Sequence, residues 1–76
     1  GINLFAPEAR PTITAAVQAA IETGTPYDLE LPIITAKGRP RWVHTQGFAE
    51  LQGGKPVRIY GTFQDITERK QTEQLL

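Results

Sequence analysis

The chain has 76 residues, enough for one small domain or a piece of one, and its eight basic and eight acidic side chains cancel. A neutral chain creates no bulk field toward nucleic acid or a membrane surface, and no apolar run is long enough to span a bilayer. The absence of cysteine excludes disulfides, thiolate metal sites and a flavin-adduct thiol within the segment, and it fits a cytoplasmic setting with any membrane anchor elsewhere in a parent protein. The opening Gly1-Ile2-Asn3-Leu4-Phe5 has no initiating methionine and reads as the start of an excised segment.

The spacing predicts a helical region over 7–23. Ile13, Ala16, Val17, Ala20 and Ile21 form an apolar stripe at helical period, with Thr14, Gln18 and Glu22 opposite. Pro11 disfavours helical geometry at Arg10, so a short turn over Pro7 to Arg10 should precede a firm helix from Pro11 to Thr23. Gly24 suits the position just past the helix end, and Pro26 prevents continuation.

Three strands are expected next, over 27–35, 41–51 and 56–66, as an antiparallel meander joined at Ala36-Lys37-Gly38-Arg39-Pro40 and Gln52-Gly53-Gly54-Lys55. In the first, Tyr27, Leu29, Leu31 and Ile33 alternate with Asp28, Glu30 and Pro32, and Pro32 confines that strand to an edge. In the second, Val43, Thr45, Gly47, Ala49 and Leu51 oppose Trp42, His44, Gln46, Phe48 and Glu50. In the third, Val57, Ile59, Gly61 and Phe63 oppose Arg58, Tyr60, Thr62 and Gln64. The Val43 and Ile59 faces are assigned to the helix side, where small residues leave room for a cavity. Its candidate lining is Ile13, Val17, Ile21, Leu31, Ile33, Val43, Thr45, Ile59, Gly61 and Phe63. The other face carries Ile34, Trp42, Phe48, Tyr60 and Ile66, too apolar for bare solvent. A partner subunit, a flanking helix or further chain should cover it, and Ile34, Trp42, Phe48 and Tyr60 form a candidate dimer face.

The strand rich in β-branched and aromatic residues meets a polar run of helix formers at Asp65-Ile66-Thr67. Thr67 is expected to cap a helix over 68–76, and Glu68 suits the positive end of its dipole. A rigid strand-to-helix joint transmits bending of the sheet into the helix. Leu75-Leu76 is either the first turn of a coiled-coil linker or a frayed end.

The pieces Phe5-Ala6-Pro7-Glu8-Ala9-Arg10, Tyr27-Asp28-Leu29-Glu30, Gly38-Arg39-Pro40-Arg41-Trp42-Val43 and Gly61-Thr62-Phe63-Gln64-Asp65-Ile66-Thr67 occur in this order across nearly the whole chain. Together they resemble a PAS domain with its PAC segment. The resemblance implies an α+β fold in which one long helix packs on a three-stranded part of a five-stranded antiparallel sheet, followed by the start of an output helix. It implies a sensory and dimerisation module, joined in the same chain to a histidine kinase, a diguanylate cyclase or another signalling output. With the first two strands of that sheet absent, the third strand here should present an open edge.

The resemblance also marks Asp65, Ile66, Thr67, Trp42, Arg39 and Arg41 as signal-coupling residues. Asp65 is expected to bind the Trp42 indole or a guanidinium of Arg39 or Arg41, against the plainer reading of a helix-start residue. His44, the single histidine, is expected to face solvent rather than a metal. Haem-binding relatives of the family take their ligand from the long helix, which here has no histidine, so that mode is disfavoured. The positions resembling the amide sites of flavin-binding relatives are Ile33, Val43 and Phe63; an apolar wall cannot satisfy a flavin's polar edge, and Gln64 faces outward. The cofactor therefore stays unassigned, with a small-molecule ligand as the open alternative. Asp28 and Glu30 read as a solvated strand face. Lys37, Arg39, Arg41, Lys55 and Arg58 read as a solvated hairpin patch rather than a nucleic-acid surface, because a lone tryptophan on a neutral chain offers little stacking.

No catalytic constellation is present in the sequence, so any kinase or cyclase activity belongs to a neighbouring domain. Two functional expectations follow: a sensory module that sends strain through Asp65-Ile66-Thr67, or a structural homodimerisation scaffold without ligand.

Overall fold

The computed structural model describes residues 4–75. The expectations for Gly1 to Asn3 and for Leu76 lie outside the described residues. A short 3-10 turn, Pro7–Ala9, leads into helix α1, Arg10–Thr23. Arg10 is helical after all, with φ −59° and ψ −43°. Pro11 falls in the first turn, where its missing N–H has no intrahelical acceptor to lose. The Arg10 Nε also donates to the Phe5 carbonyl at 3.1 Å, which holds the residue in place. At the other end Gly24 adopts φ 73° and donates to the Ala20 carbonyl at 3.0 Å, a left-handed cap that only glycine reaches without strain.

Strands β1 (Tyr27–Ile34), β2 (Pro40–Gln52) and β3 (Lys55–Asp65) form one antiparallel sheet in the order β1-β2-β3. Two hairpins set its register. In the first, the Thr35 N–H donates to the Arg39 carbonyl at 2.9 Å. In the second, Gly53 and Gly54 both take positive φ, the geometry whose twist matches that of the strands it joins. Leu31 stands opposite Val43 and Thr45 opposite Phe63, and a bulge interrupts the β2-β3 ladder at Glu50/Leu51. Pro32 is on the edge strand, as its missing donor requires. That edge is not bare, however: Ala6 N–H donates to the Pro32 carbonyl at 3.0 Å, and Phe5 bridges Ile33.

The helix-side face holds the core. Phe5, Ala9, Ile13, Ile33 and Val43 form one buried cluster, with Val17, Tyr27, Leu29 and Leu31 packed around it. Val43 at its centre is fully buried. Ile21 departs from the expected stripe and is 57% exposed, beside a groove that it shares with Pro56, Val57 and Ile59 of β3. The small residues of the sheet face do not simply leave empty space. A Cβ on Gly47 would lie 2.0 Å from the Tyr27 ring, so Tyr27 already occupies that clearing. A Cβ on Gly61 would lie 2.1 Å from the Gln46 carbonyl oxygen, so this glycine permits close approach of backbones.

Helix α2, Thr67–Gln74, starts one residue before the expected position and folds back over the Trp42 end of the outer sheet face. Phe48 and Tyr60, at the opposite end of that face, remain exposed and stack at 5.8 Å. Among the described residues, no helix is long and apolar enough to cross a membrane.

Candidate functional site

The joint between β3 and α2 is built from two segments distant in sequence, Arg41-Trp42 and Asp65-Ile66-Thr67. Trp42, on β2, accepts from the Ile66 N–H through its carbonyl at 2.8 Å. Its own N–H finds no further backbone partner on β3, and the Thr67 hydroxyl oxygen accepts it at 2.8 Å. A side-chain oxygen thus continues the ladder one step beyond the strand. The same hydroxyl donates its proton to Asp65 Oδ1 at 2.7 Å, and that carboxylate oxygen also accepts the Thr67 N–H at 2.9 Å. Asp65 Oδ2 receives the Arg41 Nε at 2.9 Å. One carboxylate therefore ties β2 to the first residue of α2.

Strand geometry explains which expected partner reaches Asp65. Asp65 stands opposite Val43, and Arg41, two residues along β2, shares its face. Trp42 points to the other face, so its backbone, not its indole, joins the network. Arg39 sits in the hairpin turn, where its N–H donates to Thr35 Oγ1 at 3.1 Å; it is not part of the joint. Thr67 is not the cap of α2 either. Ile66 occupies that position with φ −120° and ψ 21°, and Thr67 is the first helical residue. The Ile66 side chain is buried, 4% exposed, and borders a groove with Gln64 of β3 and Arg69 of α2.

The joint's hydrogen bonds act on the carboxylate. The Thr67 hydroxyl first, then the Thr67 N–H, then Arg41 stabilise its charged form and lower its pKa from 3.8 to about 2. A depressed carboxyl adds stability that is fully present above 3.8 and is lost as pH falls through about 2. The amide proton of Thr67 should therefore titrate with a midpoint near 2 in a two-dimensional NMR pH series. A midpoint at the ordinary carboxylate value would mean that Asp65 does not engage it.

Beside the joint, Glu30 of β1 faces α2. Its carboxylate pairs with Arg69 and with Lys70, and the Lys70 ammonium stands 5.0 Å from the centre of the Trp42 ring. Lys70 foremost, then Arg69 and His44, hold the Glu30 carboxyl below its usual range. Asp28, next along that face, accepts from His44 Nε2 at 2.6 Å and from Gln46 at 3.0 Å, and these contacts lower its pKa too. The pair read as a solvated strand face is therefore engaged throughout. The sequence reading missed Glu30, Arg69 and Lys70, because which helix lies over an outer strand face is not encoded in either segment alone.

A pocket of about 390 Å³ opens between the start of α1 and the sheet. Leu4, Phe5, Ile13, Val17, Tyr27, Thr45 and Phe63 line it. Phe63 is half-exposed and meets Phe5 edge-on at 6.3 Å. Of the expected lining, Ile13, Val17, Thr45 and Phe63 are brought together here. Ile33 and Val43 are closed into the core behind the pocket, with Leu31 packed against them. Ile21 and Ile59 border a separate shallow groove at the start of β3, and Gly61 lies against the Gln46 backbone. Leu4, Phe5 and Tyr27 were not foreseen, since each reaches the pocket by crossing an element boundary. Of the candidate dimer face, Ile34, Phe48 and Tyr60 are exposed, while Trp42 is half-buried under Lys70.

The PAS fold family matches residues 1–63. The chain belongs to the PAS fold family. A blue-light-activated histidine kinase of Brucella ovis is 39% identical over 72 residues, which cover 95% of this chain and 14% of that protein. The chain thus spans a small part of the curated relatives it matches. A sensory box histidine kinase/response regulator from Burkholderia thailandensis has a solved structure that is 33% identical, with a TM-score of 0.76 over 93% of this chain and 55% of that one. The domain of a putative light and redox sensing histidine kinase from Haloarcula marismortui is 30% identical, with a TM-score of 0.73 over 87% and 57%. An RNA-binding light-oxygen-voltage receptor shares the fold at 21% identity and a TM-score of 0.79, covering 97% of this chain and 23% of that one. The chain is a sensory PAS module of the signal-transduction type, and the α+β fold expected from the resemblance is the one observed.

Proposed function

We propose that this PAS module belongs to a sensor histidine kinase and passes its signal from the sheet through Asp65, Ile66 and Thr67 into α2. The supporting observation is the single carboxylate that bonds Arg41 of β2 and both the N–H and hydroxyl of Thr67. Rotation of β2 against α2 cannot occur without breaking one of those bonds, so two sheet packings correspond to two helix poses. A difference of about 1–3 kcal/mol between such states suffices for coupling. The input fits the pocket on the helix-side face, where Phe63 lines it two residues before Asp65 on β3. Its lining is apolar apart from Thr45 and Tyr27, which suits a small apolar molecule bearing one polar group. A flavin's polar edge needs several donors and acceptors, and this lining does not fit one.

In the full-length protein, Asp65→Ala should leave the output activity measurable but independent of the stimulus. Unchanged stimulus dependence would overturn the Asp65 route, whereas an output that no stimulus alters in the unsubstituted protein would favour the scaffold, in which a second copy docks on the exposed Phe48–Tyr60 stack.

A further inference from the structure

Little within α2 explains why it lies against the sheet. The helix has eight residues, too few to persist alone, and its Ile66 cap offers no side-chain oxygen. Its sequence, Thr67 to Gln74, presents no apolar stripe. Beyond the joint itself, its attachment is electrostatic. Glu30 Oε2 meets Arg69 Nη2 at 2.5 Å, and Glu30 Oε1 meets Lys70 Nζ at 2.5 Å. Lys70 is further held over the Trp42 ring.

Arg69 has a second acidic neighbour one turn along its own helix, Glu73 at 3.7 Å. The guanidinium can therefore keep a carboxylate partner whether α2 rests on β1 or swings away from it. That is the condition for a two-position element: both positions satisfy the charge, and a small bias selects between them. The bias has a source on the same strand. Tyr27 lines the pocket on the inner face of β1, and Glu30 projects from the outer face three residues on. As the edge strand, β1 is held along its outer side, among the described residues, by the Ala6 hydrogen bond and the Phe5 bridge, so it can shift more readily than β2, which is paired on both sides.

We propose that Glu30 is a latch, a positioning residue that fixes the pose of α2 and releases it when β1 moves with Tyr27. The inference rests on reading α2 as the output element and names how that element is controlled. It gives the chain a second route from pocket to helix, through β1, beside the Asp65 route through β2 and β3.

Hydrogen exchange measured by mass spectrometry on the protein tests it. Glu30→Gln should speed exchange of the amides at 70–74 by about five-fold or more, with β2 and β3 amides within about two-fold of the unsubstituted protein. The pair Arg69→Gln/Lys70→Gln should reproduce that change, and combining it with Glu30→Gln should add little further, because all three remove one interaction. Exchange in α2 within two-fold of the original overturns the latch. Equal acceleration throughout the sheet overturns it too, as does full additivity of the substitutions. The readout is helix position, not signalling, so the latch can fail while the Asp65 joint stands, and the reverse.

Discussion

Gly61→Ala is expected to destabilise the domain by about 3 kcal/mol, the upper end for overpacking a folded interior. The added methyl carbon would sit 2.1 Å from the Gln46 carbonyl oxygen and 3.3 Å from the Gly47 Cα. Both neighbours are backbone atoms of β2, so no side-chain rotation relieves the contact. The strands must separate, and the β2-β3 ladder weakens around Gly47 and Gly61, which face each other. A domain this small has only a few kcal/mol to lose. Gly47→Ala provides the contrast. The three atoms nearest its methyl all belong to the Tyr27 ring, the closest at 2.0 Å, and that ring borders the open pocket into which it can turn. About 1 kcal/mol is expected there. Urea denaturation of the two variants decides the matter; equal losses would show that the sheet backbone yields as easily as a side chain.

Thr67→Val should cost about 2 kcal/mol, because it leaves the half-buried Trp42 N–H without an acceptor in nearly unchanged volume. Thr67 is only 6% exposed, so water does not readily take the hydroxyl's place. Thr67→Ser keeps the oxygen and should stay within about 1 kcal/mol of the original, losing only a methyl group. The reversed order in thermal or urea melts would mean that the methyl packing of Thr67, not its hydroxyl, holds the joint. The valine variant should also detach α2 from the end of β2, seen as loss of protection at the Trp42 amide.

Both predictions depend on contacts invisible in local pattern. In the sequence, Gly61 looked like part of a roomy cavity wall, and Thr67 looked like an ordinary cap. A cap needs only the residues that follow it, whereas the Thr67 hydroxyl answers to Trp42, twenty-five residues earlier. Asp65 shows the intermediate case. Its role as a tie was legible from the resemblance, but the choice of Arg41 over Arg39 and the Trp42 indole required the β2-β3 register.

What the amino-acid order settled unaided is the set of local decisions. The helical period of Ile13 to Ala20, the glycine stop at Gly24, the edge placement of Pro32 and the turn at Gly53-Gly54 follow from interactions spanning a few residues. The alternation that buries Val43 and Thr45 belongs with them, since strand period is a property of the backbone. The tertiary structure alone decided that Tyr27 fills the space over Gly47, that Phe5 closes one side of the pocket, that Ile66 is buried and that Glu30 meets Arg69 and Lys70. Each of these depends on how sheet twist and a single change of backbone direction bring distant segments together, and neither quantity is carried by the periodicity of any one segment.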